Sequence, residues 1–297
     1  MLLFPKIEII VFTNPVCPWC WGSEAIIRKI KYRYGKQIKF SYIMGDLGDH
    51  ININDVGLDF SKYNNKMKKL WLEASKYHHM PVYNSSINYF TDHYSSIYSL
   101  NIAHKAAQLQ SEKLAELFLR RIREATIVEG RFTNQMENLL QLAQEVGLDI
   151  ESLNKSITEG CAVKLYKEDL KIIKSFHIST FPSFLIRNEL GDSMIVRGYQ
   201  DYETFREIIN YLTNNEVTET IHEANDYNIN QFIKYFKRVV PVEISLAFDM
   251  LINDVHERLI WMENHHQIQI TNVGNGFYID WKDDVLVCDP QTGICYT

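Results

Sequence analysis

Residues 12–24 read FTNPVCPWCWGSE, and the fold turns on the role of the two cysteines in that stretch. They stand three positions apart, directly after KIEIIVFT (6–13), a run of β-branched and aromatic residues suited to a strand. Asn14 and Pro15 end the run. From Pro18 to about Tyr34 the residues Ile26, Ile27, Ile30 and Tyr34 recur at helical spacing, while Arg28, Lys29, Lys31 and Arg33 fill the other face. Gly35 stops this helix where a left-handed residue is wanted, and residues 38–44 predict a second strand. Strand, helix and strand in such short order make a βαβ unit.

A CxxC at the handover from strand to helix has a specific use. The first thiol sits among unpaired backbone N–H groups at the positive end of the helix dipole, which lowers its pKa. Cys17 is then the nucleophile, and Cys20, on the same face, lies within disulfide reach to resolve a mixed disulfide. Pro18 falls at the first helical position, where no N–H is needed. Two other readings stand beside this one. A structural zinc site needs four ligands, and the CxxC supplies two, leaving Cys288 and Cys295 as distant candidates for the rest. The pair can also be two inert core thiols. The strand-to-helix position favours the redox reading.

Working outward, residues 60–176 carry little strand signal. Helical patterns succeed one another there: SKYNNKMKKLWLEASKYH, NIAHKAAQLQ, SEKLAELFLRRIREATIVE, NQMENLLQLAQEV and VKLYKEDLKIIKSF. Within them Leu114, Leu117 and Phe118 read as core, and the adjacent pairs His78-His79 and His265-His266 as exposed polar positions rather than chelators. A hairpin follows at 183–197 around Glu189 to Asp192, then the helix YETFREIINYL capped by Asp201. The order is therefore βαβ, a helical insertion, then ββα, an α/β domain spanning residues 1–222.

After Leu212 the polar stretch TNNEVTETIHEANDYNIN reads as a linker. Residues 223–297 then form a small α+β module. NQFIKYFKRVV, PVEISLAFDM and NDVHERLIWMENHH predict three helices, with Pro241 opening the second and Asn253 capping the third; IQIT and FYIDW predict a hairpin. Three helices and a hairpin are the outline of a winged helix. Yet from Asp226 onward there are five Lys or Arg against ten Asp or Glu, a balance that repels phosphates. Glu243, Asp249, Asp254, Glu257 and Glu263 give the second and third helices an acidic character that suits a protein partner or domain packing better than DNA.

The whole chain agrees with a globular protein. It has 297 residues, 46% hydrophobic and 23% charged, and a formal charge of −6, which provides no basic field for nucleic acid or anionic lipid. No apolar run is long enough to cross a membrane, and the N-terminal segment reads as a strand rather than a signal, so a cytoplasmic location is expected. Five cysteines are too few for a disulfide scaffold. Cys288 and Cys295, bracketing CDPQTGIC, are a possible second thiol pair. No nucleotide-binding or metalloprotease motif is present, so no cofactor or metal is expected beyond the protein's own thiols.

With CPWC after a first strand, a helical insertion, and Thr-Phe-Pro (180–182) before the third strand, the chain resembles the DsbA family of the thioredoxin superfamily, including its FrnE-like members. The resemblance implies a thioredoxin-like fold, a cis Pro182 beside the cysteine pair, and a Phe181 backbone that pairs with substrate in β-augmentation. It sets Glu24, one turn beyond Cys20, near the second cysteine as a proton carrier, against the plainer reading of a solvated helix glutamate. Trp19 and Trp21 are expected to form apolar surface around Cys17 for substrate peptides.

The length, the AHKAAQLQ and FLRRIRE helices, and NQFIKYFKRVVPVEISLAFD with its hairpin are also similar to the cytosolic adaptors that present the Spx regulator to the ClpXP protease in Firmicutes. Two functions follow as expectations. One is a thiol-disulfide oxidoreductase acting on protein or thiol substrates; the other is an adaptor holding a client for a protease, in part through its C-terminal module, with regulatory thiols.

Overall fold

The computed structural model describes residues 5–46, 59–86, 88–91 and 96–282, and the backbone of 287–288 and 295–296. Strand β1 (Ile7–Thr13) leads through helix α1 (Pro18–Tyr34) to β2 (Ile38–Met44). β1 and β2 are parallel, Ile9 lying opposite Phe40, so a crossover is obligatory and α1 supplies it. β3 (Ser183–Asn188) and β4 (Ser193–Arg197) complete a sheet of order β2-β1-β3-β4, with β3 antiparallel to both of its neighbours. β1 is thereby covered on both edges, which is why it reads as a nearly continuous apolar run and why its end at Thr13 delivers CPWC to the middle of the sheet.

The insertion comprises α2 (Phe60–His78), α3 (Tyr98–Gln110), α4 (Glu112–Arg123), α5 (Met136–Glu145), α6 (Ile150–Thr158) and α7 (Cys161–Ser175). α4 continues through a wider π-turn at Glu124–Val128. The sequence reading does not anticipate α6, although Ile150, Leu153 and Ile157 stand at helical spacing and pack on the core; Asp149 caps it by accepting from Ser152 N–H. Phe118 is fully buried as expected, but Leu117 lies at the edge of the α4 stripe and is exposed. α8 (Tyr202–Thr213) begins where Asp201 accepts from Thr204 N–H, as its sequence predicts.

In the C-terminal unit α9 (Asp226–Phe236), β5 (Arg238–Val239), α10 (Pro241–Phe248), α11 (Ile252–Asn264), β6 (Ile268–Val273) and β7 (Gly276–Trp281) follow one another. The sheet order is β5-β7-β6, antiparallel throughout. Ile229, Phe232, Ile233, Ile244, Val255, Leu259 and Ile279 form its own apolar core. The helix expected to run through Val240 stops at Phe236. Lys237 turns the chain at φ 65°, and the β-branched Val239 pairs with Ile279 instead. α11 starts behind Leu251, not at a cap on Asn253. The backbone of Cys288 lies opposite that of Cys295 in a short antiparallel pair, β8 (Val287–Cys288) with β9 (Cys295–Tyr296); the expected thiol pairing falls on side chains outside the described residues.

One expectation about this half of the chain is corrected. The polar stretch after Leu212 is not a free linker: Val217 is buried, Thr220 N–H donates to Arg33 C=O at 2.7 Å, and Arg33 donates to Glu219 at 3.0 Å. The basic side of α1 is where the C-terminal unit docks. Glu243, 0% exposed, accepts from Arg28 at 2.8 Å and from Arg120 of α4 at 2.9 Å, and also from Val240 N–H. Asp249 accepts from Lys29 at 2.6 Å and from Arg33. Two of the acids counted as acidic surface are therefore docking anchors. Glu243 in particular has no stable alternative to its two arginines, because an unpaired charge at that depth is strongly unfavourable.

Candidate active site around the CPWC pair

The turn that presents the cysteines is set by Asn14. Its amide donates to Gly45 C=O at 2.8 Å and its carbonyl oxygen accepts from Val16 N–H at 3.0 Å. Cys17 is the N-cap of α1, its sulfur accepting from Cys20 N–H at 3.2 Å, with Pro18 at the first helical position. The Cys17 thiol reaches Phe181 C=O at 3.6 Å, and the Phe181–Pro182 peptide bond is cis. The Phe181 ring lies against Gly45, where a Cβ would come within 2.0 Å of it. Residues 164 positions apart thus meet at one sulfur.

Both thiols are free and buried, Cys17 at 3% and Cys20 at 2% exposure. The sequence reading has the helix N-terminus lower the Cys17 pKa; in the structure the burial of the sulfur opposes that effect. Burial pushes the Cys17 thiol well up, reinforced by the neighbouring Cys20. At Cys20 burial also opposes the anion, but the Cys17 thiol donating to it, the Arg123 charge, the Thr13 hydroxyl and Asn14 N–H together outweigh that and bring Cys20 down.

The two tryptophans separate. Trp19 is partly exposed in an aromatic cluster with Tyr77 (ring centroids 5.5 Å), Tyr199 (5.8 Å) and His78 (6.0 Å). Trp21 is fully buried, donating to Pro81 C=O at 2.8 Å with the Arg120 guanidinium 4.3 Å over its ring, so it offers no surface to a substrate. The reason was readable: positions two apart on a helix point to opposite sides.

Glu24 is not a solvated helix glutamate. It is 6% exposed and ion-paired with Arg123, with Arg120 at 3.8 Å. Burial works against its charge, yet Arg123, Arg120 and Arg28 hold the carboxyl below its ordinary value. Arg123 also donates to the Thr13 hydroxyl. Arg120, Arg123, Thr13 and Glu243 are site residues that sequence reasoning missed. The available signal was FLRRIRE, where Arg120 and Arg123 share the buried stripe with Ile122 and Leu119 rather than the charged side.

His78, expected at the surface, is 4% exposed. Its ring packs on Gly22, where a Cβ would come within 2.3 Å, and its Nδ1 accepts from Met80 N–H at 3.1 Å. Burial lowers its pKa from the ordinary 6.5 to about 4. Because the folded value lies below the unfolded one, stability is complete above pH 6.5 and is lost as the pH falls from there towards 4. His78 is expected to cost on the order of 2 kcal/mol by pH 5. Urea midpoints at pH 7 and pH 5 check this, and the gap between them should narrow in His78→Asn.

A family model described as Thioredoxin matches residues 10–207. The chain belongs to this thioredoxin family. Within it, the fold is DsbA-like: the cytosolic disulfide reductase DsbM from Pseudomonas aeruginosa superimposes with a TM-score of 0.53 at 18% identity, covering 70% of this chain and 98% of that one. Similarity over the greater length runs to other relatives. The ClpXP adapter protein SpxH of Bacillus subtilis (strain 168) is 26% identical over 93% of this chain and 89% of its own length. SpxH of Halalkalibacterium halodurans is 23% identical over 85% and 81%. Among the described residues no helix is long and apolar enough to cross a membrane.

Proposed function

We propose that this thioredoxin-family chain is an adapter that presents a client protein to the ClpXP protease, with the CPWC dithiol as a redox centre inside the binding body. The carrying observation is extent. Likeness to the disulfide reductase covers 70% of the chain, whereas likeness to the adapter relatives covers 93%. The difference is about the size of the C-terminal unit, which is bound to α1 and α4 through buried ion pairs. Burial of both sulfurs also suits a protein whose main task is binding better than one with a permanently open thiol.

We read the C-terminal unit as winged-helix-like and as a protein-binding element. The order helix, strand, helix, helix, hairpin, with β7 between β5 and β6, supports the first part. The exposed Ile260 and Trp261 beside Asp254 and Glu257 on α11 support the second. A cytoplasmic location goes with this reading, since the protease partner and reduced thiols belong together.

A second reading, dithiol exchange, is favoured by the hydrogen-bonded pair itself. Cys20 takes the proton of Cys17. The Cys17 thiolate attacks one sulfur of a substrate disulfide, forming a mixed disulfide and expelling the other sulfur as a thiolate, which is then protonated by Cys20. The Cys20 thiolate finally attacks Cys17, breaking the mixed disulfide and releasing the second substrate sulfur as a thiolate, which takes a proton from solvent. Two electrons pass to the substrate and the pair ends oxidised, to be reduced again by an external thiol. Glu24 is here a fixed counter-charge, and Phe181, Pro182 and Trp19 border the approach to Cys17.

The double variant Cys17→Ser/Cys20→Ser separates the two readings. As an adapter it is expected to keep at least about half of the wild-type client delivery to ClpXP in a reconstituted degradation assay, while losing all reduction of a model disulfide. Loss of delivery in a folded double variant would transfer the main role to exchange.

A further inference from the structure

The tip of the β6–β7 hairpin is turned inward, onto the helical insertion. Its residues 274–276, Gly-Asn-Gly, meet the chain just past α2, at residues 80–83. Asn275 N–H donates to Val82 C=O at 2.9 Å, and the Asn275 side-chain oxygen accepts from Val82 N–H at 2.7 Å, so one residue holds both backbone groups of another. The Asn275 amide also donates to the Ser75 hydroxyl at 3.1 Å, which donates in turn to Met80 C=O at 2.8 Å. The two glycines permit this approach. Gly274 has φ 52°, and a Cβ there would come within 2.3 Å of the Val82 carbonyl oxygen; one at Gly276 would lie 3.1 Å from Pro81.

Met80, Pro81 and Val82 are buried but belong to no helix or strand, so their backbone groups need partners from elsewhere. These come from several sides. Trp21 of α1 donates to Pro81 C=O at 2.8 Å, and Tyr83 N–H donates to Ile127 C=O at 2.7 Å in the π-turn after α4. Met80 N–H donates to His78 Nδ1 at 3.1 Å, and the His78 ring packs on Gly22 and stands edge-on to Trp19, 6.0 Å between centroids. The loop thus has the hairpin tip on one side and, on the other, the first turn of α1 that carries Cys17, Trp19 and Trp21.

We propose that the 274–276 tip is a clasp by which the C-terminal unit holds the 80–83 loop, and with it the Trp19–His78 face beside Cys17. Asn275 is then a positioning residue for a peptide disulfide that meets Cys17 across Trp19. In naming that substrate the proposal rests on the dithiol-exchange reading. Asn275 itself lies at the surface, whereas Val82 is fully buried, so the hold is made at the rim of the contact between the two units. It shares no residue with the Glu243 anchor, which keeps the C-terminal unit docked when the clasp is removed.

The test follows the tryptophan indole N–H signals by 15N NMR on the full-length reduced protein, together with turnover of a peptide disulfide. Asn275→Ala is expected to speed solvent exchange of the Trp21 indole N–H roughly tenfold, since the loop that accepts from it loses a partner. It should also move the Trp19 signal and leave that of the exposed Trp261 on α11 in place. KM for the peptide disulfide should rise about fivefold at unchanged kcat. Gly274→Ala reaches the same state by a different route, a methyl group against the Val82 carbonyl, and should give the same signature; it serves if Asn275→Ala fails to fold. Folded variants whose Trp21 exchange and Trp19 signal match the wild type would overturn the clasp. Altered signals with an unchanged KM would overturn the positioning role of Asn275. A wild type that turns over no disulfide would reject the exchange reading, and the positioning role with it, while the indole signals still decide the clasp.

Discussion

Glu243→Ala is expected to destabilise the protein by about 3–5 kcal/mol, because it leaves Arg28 and Arg120 buried opposite each other with their shared carboxylate gone. The loss should fall first on the attachment of the C-terminal unit. α10 also loses the carboxylate that accepts from Val240 N–H. Hydrogen exchange would register this as early opening across α9 to β7, ahead of the β2-β1-β3-β4 sheet. Glu243→Gln keeps the shape and two polar atoms but removes the charge, and should retain part of the loss. A urea unfolding curve for either variant that coincides with the wild type would mean that the docking contact contributes nothing net.

Trp21→Ala comes next in size. The indole is fully buried, bonded to Pro81 C=O, and covered by the Arg120 guanidinium. Truncation removes one of the largest side chains in the core and is expected to cost about 3–5 kcal/mol. Trp19→Ala, on the partly exposed cluster with Tyr77 and Tyr199, should cost far less and act on binding instead. Since Trp21 and Glu243 both contact Arg120, their effects are not expected to add, and a double-mutant cycle should yield a coupling term of about 0.5–3 kcal/mol.

What could be read from the residues is what local chemistry dictates. The run 6–13 and the CPWC turn set β1 and α1. Pro18, Pro241 and Asp201 mark helix starts that the structure has at the same positions. What escaped depends on partners far away in the chain. Glu243 sits at the third position of α10, where a glutamate is unremarkable; only its meeting with Arg28 and Arg120, 215 and 123 residues earlier, makes it a buried anchor. Arg28 and Arg33 read only as the charged face of α1 for the same reason, their partners Glu243 and Asp249 lying far along the chain. The burial of the pair escaped because it comes from the Phe181 loop and from α4, far along the chain, whereas the helix dipole is a local rule. The Trp21 error was avoidable, since helical geometry alone separates it from Trp19.

The account stands on the claim that the chain and its docked C-terminal unit work as one body that delivers a client. The most direct measurement is the degradation rate of purified Spx regulator by purified ClpXP, with and without stoichiometric amounts of this protein under reducing conditions. An acceleration of roughly tenfold, about 1.4 kcal/mol in the rate-limiting step, is the predicted result. An unchanged degradation rate, in a preparation that turns over a disulfide substrate, would contradict the account.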